Sequence, residues 1–268
     1  MNIITEQSSH YRYLEKMSIA EITACINDED QKVALAIKEK LFQINNLITV
    51  ITGMLRNGGR LFYAGAGAGG RLAVLDTLEL PTTYGIKKGM VNVILAGGLE
   101  NLIHAPEDRE DDTSAGWLAL QDFNISVKDI VVGVSASGAT PFVLATLKNC
   151  RQASITTGCI VSNPYSPLAM MADYPVEVIT GPEFVTGSTR MKCGSTQKMI
   201  LDMISTTIMI QLGKVDDNSM IDVMPVNNKI MDRSVKILMN KTGINKYEQA
   251  KELLLKYGSI REAMTAFR

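Results

Sequence analysis

The sequence is poor in the residues on which several kinds of site depend. Its 268 residues include one tryptophan, two histidines and four cysteines. Because His10 and His104 are the only histidines, we expect no histidine-based metal site. The cysteines lack CxxC spacing and lie apart in the chain, at Cys25, Cys150, Cys159 and Cys193. We therefore expect neither a zinc site nor a disulfide framework, but small buried thiols in a reducing cytosol.

Charge of neither sign dominates. The 27 basic and 28 acidic residues leave a net charge of −1, so no global field recruits nucleic acid or an acidic membrane. The scarcity of aromatics disfavours a base-stacking surface. No apolar run reaches the length of a membrane span, and the first ten residues lack the basic start and apolar stretch of a secretion signal. We expect a cytoplasmic protein that binds neither nucleic acid nor membrane.

Apolar strands that alternate with helical segments predict the fold class. The strands are predicted at 61–64, 91–96, 129–134, 155–161 and 176–179. Strands this apolar, separated by helices, indicate a parallel sheet covered on both faces. The prediction is an α/β protein with a doubly wound, five-stranded parallel sheet in an α-β-α sandwich.

Helical spacing of apolar residues predicts the elements that flank this sheet. The predicted helices are one long amphipathic helix over 28–57, one near 70–79 stopped by Pro81, one over roughly 112–122, one to about 149, a Met-rich one from Gly187 to about Leu212, one near 227–239, and two short ones around Tyr257-Gly258. The chain then divides into an N-terminal arm and long helix (1–57), a sheet domain (58–223) and a C-terminal helical segment (224–268). The long N-terminal and Met-rich helices carry more apolar surface than one sheet covers, so we expect a homodimer.

A glycine-rich loop over 65–71 follows the first strand. Such a loop brings backbone N–H groups to an anion, usually phosphate, and its candidate binding residues are Gly67, Gly69, Gly70 and Arg71. The same glycines match a dinucleotide fingerprint, but the acidic residue expected at the end of the second strand is missing. Close packing of helix on strand, without a ligand, is the alternative interpretation.

Two more helix starts are rich in hydroxyl groups. Phosphate can bind there, or the residues can simply cap the helix, and the two interpretations are compatible. The candidate residues are Ser135, Ser137, Gly138 and Thr140 after the third strand, and Ser188, Thr189 and Arg190 at the start of the Met-rich helix.

Longer motifs run through nearly the whole chain, and the most specific of them is far longer than a generic loop signature. They are Gly65-x-Gly-x-x-Gly-Arg71 with Asp76-x-x-Glu79-x-Pro81, Ala96-Gly-Gly98, Ala105-x-Glu107-x-x-Glu110-Asp111, Val132-Gly-Val-Ser-Ala-Ser137-Gly, and Gly181-Pro-Glu-Phe-Val-Thr-Gly-Ser-Thr-Arg190-x-Lys192. Together they resemble the motifs of the N-acetylmuramic acid 6-phosphate etherases, enzymes with a sugar isomerase (SIS) domain that are similar to glucokinase regulatory proteins.

The resemblance implies a function and assigns residues to it. The family cleaves the D-lactyl ether of N-acetylmuramic acid 6-phosphate, without metal or organic cofactor, to N-acetylglucosamine 6-phosphate and D-lactate. By match to the motifs, Glu79 is the proton donor, Glu110 is the second acid/base group, and Lys192 joins the sugar-phosphate-binding residues of an SIS domain over 58–223. Which glutamate removes the proton at C2 stays open.

The chain departs from the family pattern in the first loop. The family's Thr and Ser are replaced by Ala68 and Gly69, which removes two hydroxyl groups that could bond phosphate. Each loss costs about 1–3 kcal/mol. Two alternatives therefore stand beside the etherase: a regulatory protein that senses a sugar phosphate without turnover, and an aldose–ketose isomerase, which shares proton abstraction at C2.

Overall fold

The computed structural model describes residues 3–103, 107–223, 225 and 227–267. His104 and Ala105, which entered the sequence interpretation, lie outside the described residues. Contacts within the chain divide it into two compact units, unit 1 with Met1–Thr77 and Gly89–Ile204, and unit 2 with Leu78–Lys88 and Ser205–Arg268. The division predicted at 57/58 and 223/224 stays a prediction.

A five-stranded parallel sheet forms the centre of unit 1. Its strands are β1 (Leu61–Gly65), β2 (Val91–Leu95), β3 (Ile130–Val134), β4 (Thr156–Val161) and β5 (Tyr174–Glu177). The strand order is β2-β1-β3-β4-β5. Every residue of β1 and β3 is buried, as expected for central strands with both faces covered. The α/β fold class with five parallel strands is confirmed.

Strand β5 begins two residues before its predicted start. Among the described strands it pairs with β4 alone, with Tyr174 opposite Gly158 and Pro175 opposite Cys159. Pro175 is compatible with this edge position, because one side of an edge strand carries no ladder bonds.

The remaining elements are helices and one small hairpin. The α-helices are α1 (Ile19–Lys38), α2 (Leu41–Arg56), α3 (Gly67–Tyr84), α4 (Ala115–Asp122), α5 (Pro141–Gln152), α6 (Pro167–Met171), α7 (Lys192–Gln211), α8 (Asn228–Thr242), α9 (Tyr247–Tyr257) and α10 (Ile260–Phe267). Short 3-10 turns span Ile4–Glu6, Leu14–Lys16, Leu99–Asn101 and Glu107–Asp111, and the hairpin joins β6 (Val215–Asp216) to β7 (Ser219–Met220). Within the described part of the chain, no helix is long and apolar enough to cross a membrane.

The prediction of a single long helix over 28–57 was wrong, because the structure has two helices, α1 and α2, in this region. Helix α1 begins earlier, where Ser18 and Glu21 form a capping box, and it ends before a turn at Lys40 that separates it from α2. The apolar periodicity continues through this turn, and neither glycine nor proline marks it. The sequence pattern therefore contained no stop signal at the junction.

Pro81 does not stop α3, contrary to the prediction. The helix continues to Tyr84 and ends at Gly85, whose φ is +61° and whose N–H donates to the Pro81 carbonyl at 3.0 Å. A proline in the last turn removes one helical hydrogen bond but leaves room for the chain to finish the turn.

Helix α7 begins at Lys192, five residues later than predicted. The buried carboxylate of Glu183 accepts the backbone N–H groups of Lys192 and Cys193, each at 2.9 Å. An acidic residue nine positions before the helix therefore satisfies its first donors. Residues 187–191 form turns instead.

Unit 2 has a helical core of its own. Helices α8, α9 and α10 pack around buried Val235, Leu238, Leu254 and Ile260. Gly258, at φ +82°, ends α9 before α10 begins, so the two short C-terminal helices are confirmed.

Candidate functional site

A polar cavity of about 170 Å³ opens at the carboxyl ends of β1 and β3 in unit 1. Ligands of doubly wound sheets bind at this edge. The cavity brings together predicted residues from all three loops and one predicted catalytic residue: Gly67, Gly69, Ser135, Ser137, Thr140, Thr189 and Glu110. The other lining residues are Glu6, Ala66, Ala68, Val134, Ala136 and Gln197.

The loop after β3, over 135–140, presents a connected set of hydroxyl groups to this cavity. The Ser135 hydroxyl lies 2.8 Å from the Thr140 hydroxyl and 3.3 Å from the Ser137 hydroxyl. Backbone N–H groups join the set, because Gly138 donates to Ser135 Oγ at 3.1 Å and Ala139 donates to Ser137 Oγ at 3.2 Å. Helix α5 starts directly after this loop, so hydroxyl groups and a helix N-terminus favour an anion at one place.

The loop after β1 contributes bare backbone, and the Glu110 carboxylate from the turn Glu107–Asp111 lies beside it. Gly67 has φ +50°, and a Cβ there would lie 2.8 Å from Glu110 Oε1. A Cβ at Gly69 would lie 3.0 Å from Val134 Cγ1 and 3.1 Å from Gln197 Oε1. The missing side chains at 67 and 69 therefore leave room for the Glu110 carboxylate and the Gln197 amide.

Other loop glycines serve packing. A Cβ at Gly70 would lie 2.5 Å from Leu95 Cδ1, and one at Gly65 would lie 2.7 Å from Gly70 Cα. At Gly138, with φ +66°, a Cβ would lie 2.2 Å from Ser166 Oγ. Neither Gly70 nor Gly138 lines the cavity as it is described, and close packing accounts for both glycines.

Four more predicted binding residues do not line the described cavity: Arg71, Ser188, Arg190 and Lys192. Arg71 is exposed and its Nε donates to the Leu102 carbonyl at 3.2 Å. Ser188 is half-buried and Arg190 is exposed. The substrate-binding function of these residues stays a prediction.

The Lys192 ammonium lies in the protein interior, with 2% of its side chain exposed. It donates to the Glu29 carboxylate and, at 2.8 Å, to the Thr180 carbonyl. Burial alone raises the pKa of Glu29, but hydrogen bonds from Lys192 and Lys32 outweigh that effect and lower the pKa to about 2. This ion pair connects α1 to the first residue of α7.

Glu79 is exposed on α3 and belongs to unit 2. It is not among the described residues that line the cavity. Its assignment as proton donor comes from the family motif and stays a prediction.

Two polar side chains of the cavity were absent from the sequence interpretation, Glu6 and Gln197. Gln197 lies in the Met-rich helix, which the sequence marked as core, and it is 2% exposed. Glu6 lies in the polar N-terminal segment, where no periodicity or motif distinguishes it. Only tertiary folding brings either side chain to the loops.

The described residues contain no group of three or more His, Cys, Asp or Glu side chains that could hold a metal ion. The four cysteines are free, and Cys150, Cys159 and Cys193 are buried. Burial raises the pKa of Cys150, Cys159 and Cys193 to about 12, so these thiols are inert near neutral pH.

Comparisons with known families agree with this architecture. Residues 43–151 match the family described as the glucokinase regulatory protein N-terminal SIS domain, and residues 118–207 match the SIS domain family. The solved structure of a phosphoheptose isomerase from Francisella tularensis is similar in fold, with a TM-score of 0.57 and 15% identity. The match covers 72% of this chain and 98% of that one.

Curated relatives are similar along almost the entire chain. A protein of Bacteroides fragilis named N-acetylmuramic acid 6-phosphate etherase is 47% identical over 265 residues, which cover 99% of this chain and 94% of that protein. A protein of the same name from Bacteroides thetaiotaomicron is 48% identical, with 99% and 95% covered. The chain therefore belongs to the N-acetylmuramic acid 6-phosphate etherase family.

Proposed function

We propose that this protein is a carbon–oxygen lyase that converts N-acetylmuramic acid 6-phosphate to N-acetylglucosamine 6-phosphate and D-lactate. The observation that carries the proposal is the position of Glu110. Its carboxylate lies against Gly67 in a cavity that the hydroxyl groups of Ser135, Ser137, Thr140 and Thr189 also line, within a chain of the etherase family.

The loop over 135–140 is the proposed phosphate site. Its hydroxyl groups and the N-terminus of α5 favour a dianion, whereas the Glu110 carboxylate beside Gly67 repels one. The cavity of about 170 Å³ is smaller than the roughly 300–1,000 Å³ typical of ligand pockets. A whole sugar phosphate therefore extends beyond the cavity, with its phosphate at the loop over 135–140 and its sugar on the side of Glu110.

The reaction needs two proton-transfer groups. Once the sugar opens to its aldehyde, a base removes the acidic hydrogen at C2. Lactate leaves from C3 with a proton from an acid, and water then adds across the new C2–C3 double bond. We assign these transfers to Glu110 and Glu79, each contributing roughly 10²–10⁴-fold to the rate.

The test is lactate release from N-acetylmuramic acid 6-phosphate by the purified protein. Glu110→Gln and Glu79→Gln should each lower the rate by roughly 10²–10⁴-fold. Glu177→Gln provides a control outside the cavity. Release no faster than by a Glu79→Ala variant at high enzyme concentration contradicts the lyase, and a ketose phosphate as product identifies an isomerase.

A regulatory protein without turnover is the second candidate. The match of residues 43–151 to the glucokinase regulatory protein domain favours it, as does the loss of both hydroxyl groups at Ala68 and Gly69. It predicts that N-acetylglucosamine 6-phosphate raises the melting temperature while no lactate forms, and that Glu110→Gln does not reduce this rise.

A homodimer and a cytoplasmic location complete the proposal. Large apolar side chains are exposed on α1 and α2, with Leu35 65% and Phe42 77% exposed, and a second copy would cover them. Light scattering at micromolar concentration should give a dimer for the natural chain and a monomer for Phe42→Asp. Free buried thiols suit a reducing compartment, which cell fractionation can check.

A further inference from the structure

The N-terminal arm, residues 3–11, is fastened to the hydroxyl-rich loop after β3. The backbone N–H of Thr5 donates to Asn163 Oδ1 at 3.2 Å, and Asn163 Nδ2 donates to the Thr5 hydroxyl at 3.0 Å. The same Nδ2 lies 3.3 Å from the Ala136 carbonyl and 3.2 Å from the Ser137 carbonyl. One buried side chain therefore holds both the arm and the loop, so their positions are coupled.

A second attachment follows four residues later along the arm. The backbone N–H of Ser9 donates to the Thr186 hydroxyl at 2.9 Å, and the Ser9 hydroxyl donates to the Phe184 carbonyl at 2.7 Å. The ring of Tyr11 packs 4.9 Å from that of Phe184. Thr5 and Ser9 are both buried, whereas Glu6 between them is exposed.

Glu6 is thus held at the cavity by fixed backbone on both sides. Its side chain lines the cavity, and its Oε2 would lie 3.4 Å from a Cβ at Gly187. Glu6 stays in contact with water, but the fixed backbone on both sides keeps its carboxylate at the edge of the cavity. The two attachments order this segment beside the site. The proposed reaction assigns no role to the segment or to Glu6.

The chemistry of a carboxylate restricts what Glu6 can bind. An ionised carboxylate only accepts hydrogen bonds, and it repels phosphate and the lactyl carboxylate. Its suitable partners on an amino-sugar phosphate are hydroxyl groups and the amide N–H. Charge-assisted bonds of this kind are roughly twice as strong as neutral ones.

We propose that Glu6 is a substrate-binding residue that accepts a hydrogen bond from a hydroxyl or amide N–H of the sugar, and that the N-terminal arm is a wall of the site. The inference rests on the proposed function for the identity of the sugar. It makes Glu6 a determinant of sugar recognition, whereas the loop after β3 recognises the phosphate.

Calorimetric titration of the full chain tests the proposal with two probes, N-acetylglucosamine 6-phosphate and inorganic phosphate. Glu6→Gln should weaken binding of the sugar phosphate by roughly tenfold to a hundredfold, as expected for a lost bond to a charged group. Binding of inorganic phosphate should stay equal or tighten, because a negative charge is removed. The matched control is Glu15→Gln, an exposed glutamate of the same N-terminal region that does not line the described cavity.

Three outcomes contradict the proposal: equal sugar-phosphate affinity in Glu6→Gln and the natural chain, equal weakening of both probes, or no binding of the sugar phosphate by the natural chain. Glu6→Asp should recover part of the lost affinity. Lactate release, measured separately, decides the proposed function. A natural chain that binds the sugar phosphate through Glu6 but releases no lactate rejects the lyase and leaves this inference standing.

Discussion

The loops after β1 and after β3 occupy equivalent places in the fold but present different chemistry to the same cavity. The loop after β3 offers three hydroxyl groups, two of them within 2.8 Å of each other. The loop after β1 offers Ala68 and glycines, and where a side chain would stand at Gly67 the Glu110 carboxylate lies instead.

The structure gives the glycine-rich loop a function that its sequence did not indicate, which is to make room for the Glu110 side chain. A glycine-rich loop before a helix usually indicates phosphate. Here the bare backbone at Gly67 admits an acidic side chain, which makes the position unfavourable for a second anion. In the proposed reaction, the glycine-rich loop therefore makes room for the proton-transfer group Glu110, and the loop after β3 binds the phosphate.

The largest expected effect on stability comes from a residue outside both loops, Glu29. It shows how strongly a change far from the cavity can act, and the loop variants are compared with it. Glu29→Gln should lower the free energy of unfolding by about 3–5 kcal/mol at pH 7, because it leaves the Lys192 ammonium buried without its counter-charge. Folding lowers the pKa of Glu29 from 4.5 to about 2, so its stabilisation is complete above about pH 4.5 and is lost as the pH falls through 2.

Urea unfolding at several pH values measures this effect. The difference between the natural chain and Glu29→Gln should shrink from pH 5 towards pH 2. The exposed Glu39→Gln serves as control and should change stability by less than about 0.5 kcal/mol. A difference that grows with acid contradicts the assigned direction of the pKa shift.

Gly67→Ala should be the most damaging single change within the loops. The new Cβ would lie 2.8 Å from Glu110 Oε1, so the carboxylate must move, and a displacement of about 1 Å can cost on the order of 10²-fold in rate. Gly58→Ala is the matched control, because Gly58 also has positive φ, at +82°, but nothing lies within 4 Å of its added Cβ. Steady-state lactate release compares them, and equal rates in the two variants would refute a special place for Gly67.

Thr140→Val should weaken phosphate binding without slowing the chemical step. It removes the hydroxyl group 2.8 Å from that of Ser135, at a cost of about 1–1.5 kcal/mol, and so raises KM roughly tenfold while kcat stays constant. Thr49→Val, at an exposed position on α2, is the control. A fall in kcat at unchanged KM would place Thr140 in the chemistry instead.

The smallest change should come from adding a hydroxyl group to the loop after β1. Ala68 lines the cavity, so Ala68→Thr should lower KM by at most about fivefold, the value of one net hydrogen bond. Gly69→Ser should help less, since its Cβ would crowd Val134 and Gln197 at 3.0 and 3.1 Å. If Ala68→Thr improves KM more than Thr140→Val worsens it, the phosphate site belongs to the loop after β1.

Local sequence patterns were sufficient to predict elements that depend on hydrophobic runs or on glycine. Apolar runs separated by helical segments predicted the five parallel strands, and Gly258 predicted the break between the two last helices. They failed at two helix boundaries. The start of α7 is fixed by the Glu183 carboxylate nine residues before it, and the turn at Lys40 carries no glycine, proline or side-chain cap that would mark it.

The same limit separates the parts of the site. The sequence alone determined the family, the sheet, and the loops that follow β1 and β3, because strand order and loop position follow from hydrophobic pattern and from motifs read along the chain. Tertiary structure decided which residues of those loops face the cavity, and it placed Lys192 in the interior and brought Glu6 and Gln197 to the site. The physical reason is that a side chain's surroundings depend on residues more than a hundred positions away, such as Asn163 beside Thr5, and no local pattern encodes such a contact.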